Sequence, residues 1–186
     1  MHLFCLEAVN ALHIRAGEVI ARRISNLTFE YEFTFIGYRD TDTGIDFGGG
    51  DFDFGDGTVI SGDFDVLESQ ITANIVRAEF TLVHTYQAPN SYIVSYSEDN
   101  RNGGISNMEN SLNTPFYTET LIIIDPFFGV NNTPVLTVPP IDEGIPGARF
   151  IHNAGAFDID GDSLAYYLVI PKMGKNLEVV LYRPLN

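Results

Sequence analysis

The chain has 186 residues, enough for one large domain or two small ones. Hydrophobic residues make up 45% of it, too many for a disordered chain, and 14 Phe with 9 Tyr favour strands over helices. A formal charge of −15, from 25 acidic and 10 basic residues, sets the surface against nucleic acid and anionic membranes. It suits an exported protein that collects divalent cations, and it also serves solubility alone.

Residues 1–12 hold the one cysteine, Cys5, so an intrachain disulfide is excluded and the core must hold without one. This start is too short for a full signal peptide and lacks its basic opening. Val9-Asn10-Ala11 offers the small residue that export cleavage prefers. The segment reads as a secretion-signal remnant, a disordered start or a misplaced start site. No apolar run in the sequence approaches the length of a membrane span.

His13–Ile24 fits neither the helical nor the strand period cleanly; an extended strand is expected because everything after it reads as β. In Thr28–Phe35 aromatics occupy the odd positions and polar residues the even ones, the pattern of a strand with one buried and one wet face. Glu30 and Glu32 on the wet face read as solvated residues. Arg39–Gly50 is polar and glycine-rich, a loop with a short strand around Ile45–Phe47. Asp40, Asp42 and Asp46 can meet a cation there, but the twelve-residue calcium-loop pattern is missing. Gly48-Gly49-Gly50 lacks the lysine and following helix of a phosphate-cradling loop.

Phe52-Asp53-Phe54-Gly55-Asp56-Gly57 follows. Phe52 and Phe54 share one strand face, and Gly55-Asp56-Gly57 supplies the permissive residues of a tight turn that carries a carboxylate. Asp63–Ser69 continues as a polar connection. Ile75–Tyr86 forms the next strand, with Phe80, Leu82 and His84 on one face. His84 reads as a catalytic base or as a structural residue. Tyr92–Tyr96 is a further strand. Ser97–Asn107, extended by Met108–Thr114, is a long polar loop, and such loops are functional, mobile or simple connections. Asp99, Asn100 and Arg101 in it, with Tyr117 nearby, form a candidate ligand-binding set for sugar hydroxyls or an exposed peptide. Phe116–Asp125 closes the first unit, and Pro126 ends that strand.

The predicted architecture is all-β: a β-sandwich over residues 13–130, then a partial second β-module over 131–186. The second part has room for about four strands, where a full sandwich wants roughly seven. Its last strands are expected near Leu164–Ile170 and Leu177–Tyr182, with exposed edges that can pair with another copy. Its chemistry-bearing run is Asp158-Ile159-Asp160-Gly161-Asp162. Three alternating carboxylates at a glycine turn can converge on Ca2+ through oxygen ligands, with Glu143 upstream and Asn131 or Asn132 at the boundary. The same run can also be a plain Asp-Gly turn.

FDFGDG at 52–57, HTY at 84–86 and SYIVSYS at 91–97 together resemble the polycystic-kidney-disease (PKD) domain, an extracellular immunoglobulin-like β-sandwich. The resemblance implies structural roles for Phe52, Asp53, Phe54, Gly55, Asp56, Gly57, His84 and Tyr86, with Tyr86 doing the work of a tyrosine corner. That family usually has Trp where Phe52 stands, and this chain has none. The run AFDIDGDSLAY at 156–166 is similar to bacterial cadherin-like and immunoglobulin-like repeats, where such carboxylates with an upstream Glu hold calcium. HIRAGEVIARRI, YEFTFIGYRDT, SEDNRNGGISN, NTPFYTETLIIIDP and the tail containing HNAGAFDIDGDSL resemble the repeat-bearing surface proteins of gliding Bacteroidetes. That likeness implies export, display or release outside the cell, and no catalysis.

The function expected is a non-enzymatic extracellular adhesion or spacer module of a longer chain, touching protein or polysaccharide. The alternative is a carbohydrate-binding accessory module of a secreted polysaccharide-degrading enzyme. Catalysis finds little support in the residues. Glu30 with Glu32, or Asp53 with Asp56, stand too close in sequence to hold a sugar between them. The GxSxG elbow of a serine hydrolase is absent.

Overall fold

Ile14–Arg23 forms β1 and Phe29–Asp40 forms β2, an antiparallel pair running from Ala16 opposite Tyr38 to Arg23 opposite Tyr31. The computed structural model describes residues 14–41, 47–99, 101–127, 129–141, 145 and 147–181. Asp51–Asp53 is β3, Val59–Ser61 β4, Leu67–Thr72 β5, Ile75–Tyr86 β6, Ser91–Glu98 β7 and Phe116–Ile123 β8. They form two four-stranded antiparallel sheets, ordered β1-β2-β6-β5 and β4-β3-β7-β8. The two inner faces pack into an immunoglobulin-like β-sandwich, so the all-β expectation holds.

The alternation along β2 explains the core. Tyr31, Phe33 and Phe35 point inward and are buried, while Glu30, Glu32 and Thr34 are only partly so. From the opposite sheet come Phe52, Phe54, Val94, Tyr96, Phe116 and Ile122, all buried. Phe35 meets Tyr96 at 4.2 Å between ring centroids, and Phe33 meets Phe54 edge-on at 5.4 Å. Each such ring contributes about 1.5–3 kcal/mol by leaving water, so aromatic burial holds a fold that has no staple.

At 52–57 the chain turns within one hairpin. The Phe54 amide donates to the Thr58 carbonyl at 3.0 Å. Asp53 Oδ1 accepts the Gly55 amide at 2.7 Å and Asp56 Oδ1 accepts the Thr58 amide at 3.0 Å. Gly55 has φ 80°, and a Cβ there would lie 2.5 Å from the Ile93 carbonyl oxygen, so the turn tolerates only glycine at this point.

Four strand expectations are corrected. Leu67–Thr72 is strand β5, where the sequence suggested a polar connection up to Ser69; all six residues are exposed on a sheet edge, so no alternation marks them. Leu164–Ile170 is not a strand. No described neighbour pairs with its backbone, and Tyr167, Leu168 and Val169 are exposed. The expected strand from Leu177 shortens to Leu177–Glu178 (β12), paired with Lys172–Gly174 (β11). Val135–Leu136 (β9) and Ala156–Phe157 (β10) make another short pair. Phe47, expected in a short strand, lies outside regular structure but stacks on Phe35 at 5.2 Å; Ile45 and Asp46 are outside the described residues.

Side-chain bonds tie the later segments to the sandwich. The Ala21 amide donates to Thr133 Oγ1 at 2.8 Å, and the Arg23 amide to Asn132 Oδ1 at 2.8 Å. Lys172 reaches Glu119 on β8 at 2.5 Å, so the β11–β12 hairpin stands over the outer face of the second sheet.

Candidate functional site

The outer face of the second sheet holds a groove of about 430 Å³. Its floor is Asp51 and Asp53 of β3, Ser95 and Ser97 of β7, and Tyr117 of β8. The β11–β12 hairpin raises one wall through Met173, Gly174 and Lys175, and Asp99 and Pro115 lie on the rim. Strand alternation makes this face: Phe52, Tyr96 and Phe116 go into the core, so their polar neighbours go out. Gly50 closes one end, where a Cβ would lie 2.2 Å from the Ser97 carbonyl oxygen.

Tyr117 is held in place. Its hydroxyl donates to Glu119 Oε2 at 2.8 Å. Burial, with the Glu119 and Asp53 charges beside it, pushes the phenol up to about 12 against the opposing hydrogen bond with Ser95. It therefore keeps its proton at neutral pH. Beneath the groove, Tyr96 donates to the buried Glu98 carboxylate, and burial together with that charge drives the Tyr96 phenol far above its usual range. The Gly48 amide also donates to Glu98, at 3.4 Å.

Of the candidate ligand-binding set, the fold brings Asp99 and Tyr117 to this groove. Arg101 goes elsewhere: it is buried, donates to the Pro115 carbonyl at 3.0 Å and the Lys172 carbonyl at 2.7 Å, and lies over the Phe116 ring. It clamps the hairpin to the sheet. Asn100 lies outside the described residues. Sequence reasoning missed Asp51, Ser95, Ser97 and the wall at 173–175. The serines were readable from the alternation of SYIVSYS; the wall was not, because it comes from a segment distant in sequence.

The residues of the FDFGDG and HTY motifs form a cluster at the β3–β4 turn. Tyr86 donates to the Phe54 carbonyl at 2.8 Å, deep in the core. Burial raises its phenol far above the usual value, with the Asp56 charge adding to this. His84 stacks on Phe54 at 4.2 Å and bonds through Nε2 to Asp56 Oδ2 at 2.7 Å. Burial acts against the Asp56 carboxylate, yet the hydrogen bonds from His84 and Thr58 prevail and hold its pKa below the usual value.

In the acidic run at 158–162, Asp158 Oδ1 accepts the amides of Asp160 at 2.9 Å and Asp162 at 3.1 Å, folding the run into a turn. Asp160 accepts the Asn132 amide at 2.7 Å and its side-chain nitrogen at 3.0 Å. Among the described residues no three His, Cys, Asp or Glu side chains group as metal ligands; Glu143 is outside them. Nor is any described helix long and apolar enough to cross a membrane.

Fold and groove define an immunoglobulin-like β-sandwich with a polar recess on one outer face. The family model described as Integrin beta-like protein A-E, N-terminal, matches residues 21–125, from β1 to the end of the second sheet. The chain belongs to that family. No curated protein and no solved structure matches it.

Proposed function

We propose that this protein is an extracellular, non-enzymatic adhesion or spacer module that contacts protein or polysaccharide at a cell surface. Membership of a family described as the N-terminal part of integrin beta-like proteins carries the reading. A strongly acidic surface, unsuited to nucleic acid, supports it. The absence of catalysis is part of the proposal. His84, the side chain most like a catalytic base, stacks on Phe54 and bonds Asp56 at the β3–β4 turn, and it is not among the residues that line the groove. The likenesses to PKD-type repeats, to cadherin-like modules and to surface proteins of gliding Bacteroidetes stay within this proposal, as do the module boundaries and the contacts with further domains of a longer chain.

Calcium at Asp158, Asp160 and Asp162 is likewise proposed. The alternating carboxylates favour it, although a cation there must draw Asp160 away from Asn132. A second reading, a carbohydrate-binding accessory module of a polysaccharide-degrading enzyme, gains from the presence of Asp99 and Tyr117 on one groove.

Beads coated with the chain test the adhesion reading. Coated beads should attach to intact cells or extracted matrix more than beads coated with an unrelated acidic β-sandwich. Equal attachment ends it.

A further inference from the structure

Two neighbouring rows cross the strands of the second sheet, and the groove floor takes Asp51, Ser97 and Tyr117 from one and Asp53 and Ser95 from the next. In one, Ser61, Asp51, Ser97 and Tyr117 stand opposite one another on β4, β3, β7 and β8. In the next, Val59, Asp53, Ser95 and Glu119 do the same. Within the groove, the track from Asp51 to Tyr117 spans two strand spacings, about 10 Å. That row reads carboxylate, hydroxyl, phenol.

This order selects among ligands. Asp51, Asp53 and Asp99 oppose any anion. An extended peptide gains no main-chain bonds here, because β3 and β7 are interior strands with both neighbours already paired. Lys175 on the wall sets one positive charge against a cationic ligand; Asp51, Asp53 and Asp99 still leave the groove net negative, so a polycation is one arm of the test. A sugar hydroxyl, by contrast, donates to a carboxylate and accepts from a serine, and the floor offers both in alternation. Tyr117, its hydroxyl tied to Glu119, presents a pre-set ring to the apolar face of a sugar.

We propose that this track binds an uncharged polysaccharide, laid across the strands along Asp51, Ser97 and Tyr117 and flanked by the 173–175 wall. The proposal rests on the surface-contact reading above and names its ligand class.

The test is retention of the full chain on insoluble cellulose, xylan and mannan, beside alginate gel and immobilised polylysine. Asp51→Asn, Tyr117→Ala and, as a control on the other sheet, Glu32→Gln are run in parallel, each checked for an unchanged melting curve. Retention on at least one neutral glycan is expected, weakened by about tenfold or more in Asp51→Asn and Tyr117→Ala. Glu32→Gln should bind as the parent does, and alginate should not hold the chain. If Tyr117→Ala does not fold, Asp51→Asn, which only exchanges an exposed oxygen for nitrogen, decides alone. Neutral-glycan binding that ignores Asp51→Asn overturns the proposal, as does retention on polylysine alone. A chain that coats beads adhesive to cells yet is retained on no neutral glycan overturns the track and leaves adhesion standing. A chain that adheres to nothing removes both.

Discussion

Replacing Gly55 by alanine should damage the protein more than the same change at Gly57, two residues along one turn. Both glycines have positive φ, 80° at Gly55 and 97° at Gly57. Each substitution therefore carries a left-handed backbone cost of about 1–2 kcal/mol. At Gly57 the new methyl meets nothing within 4 Å. At Gly55 it lies 2.5 Å from the Ile93 carbonyl oxygen and 3.0 Å from the Ile93 amide nitrogen, backbone atoms held in the β7 ladder. Overpacking of that kind adds roughly 1–3 kcal/mol. Gly57→Ala should thus lose about 1–2 kcal/mol and Gly55→Ala about 2–5 kcal/mol. For a chain of this size the added term corresponds to a further fall of roughly 2–12 °C in melting temperature. The chain has no Trp, so urea unfolding followed by tyrosine fluorescence and far-ultraviolet circular dichroism gives the free energies. If Gly55→Ala proves no less stable than Gly57→Ala, the close approach of the β3–β4 turn to β7 is wrong.

Asp56 gives a pH prediction. Its folded pKa lies below the ordinary value of 3.8, so its contribution is fully present above that value and is lost as pH falls through the lower folded one. The stability advantage of the parent over Asp56→Asn should therefore shrink in acid melts below about pH 4; an advantage that is constant down to pH 2 contradicts the assignment. For the acidic turn, millimolar calcium is expected to raise the melting temperature relative to chelator. At a hundredfold excess over Kd the gain is about 2.7 kcal/mol, or roughly 5–11 °C. Identical melts remove the cation.

The sandwich was legible because its inner strands obey period two. Tyr31, Phe33 and Phe35 announce β2, and Phe80, Leu82 and His84 announce the inward face of β6. β5 was not legible: exposed along its whole length, it leaves no apolar signature. Leu164–Ile170 misled for the opposite reason, since an apolar run suggests burial but cannot make a strand without a partner for its backbone. The candidate site was half legible. Tyr117 and Asp99 were singled out by composition, and both lie on the groove. Arg101 looked equally available, but its guanidinium is taken by two backbone carbonyls, one of them from a residue far along the chain. Which carboxylates and hydroxyls face one another across β3, β7 and β8 depends on register, and the intervening loop lengths hide it.

The most direct test of the central claim is a titration of the isotope-labelled chain with a neutral oligosaccharide, followed by amide chemical-shift mapping. Perturbations are predicted at Asp51, Ser97 and Tyr117 and along the 173–175 wall, with the β1-β2-β6-β5 sheet unmoved. Shifts that gather on that other sheet, or a spectrum left unchanged at saturating sugar, would contradict it.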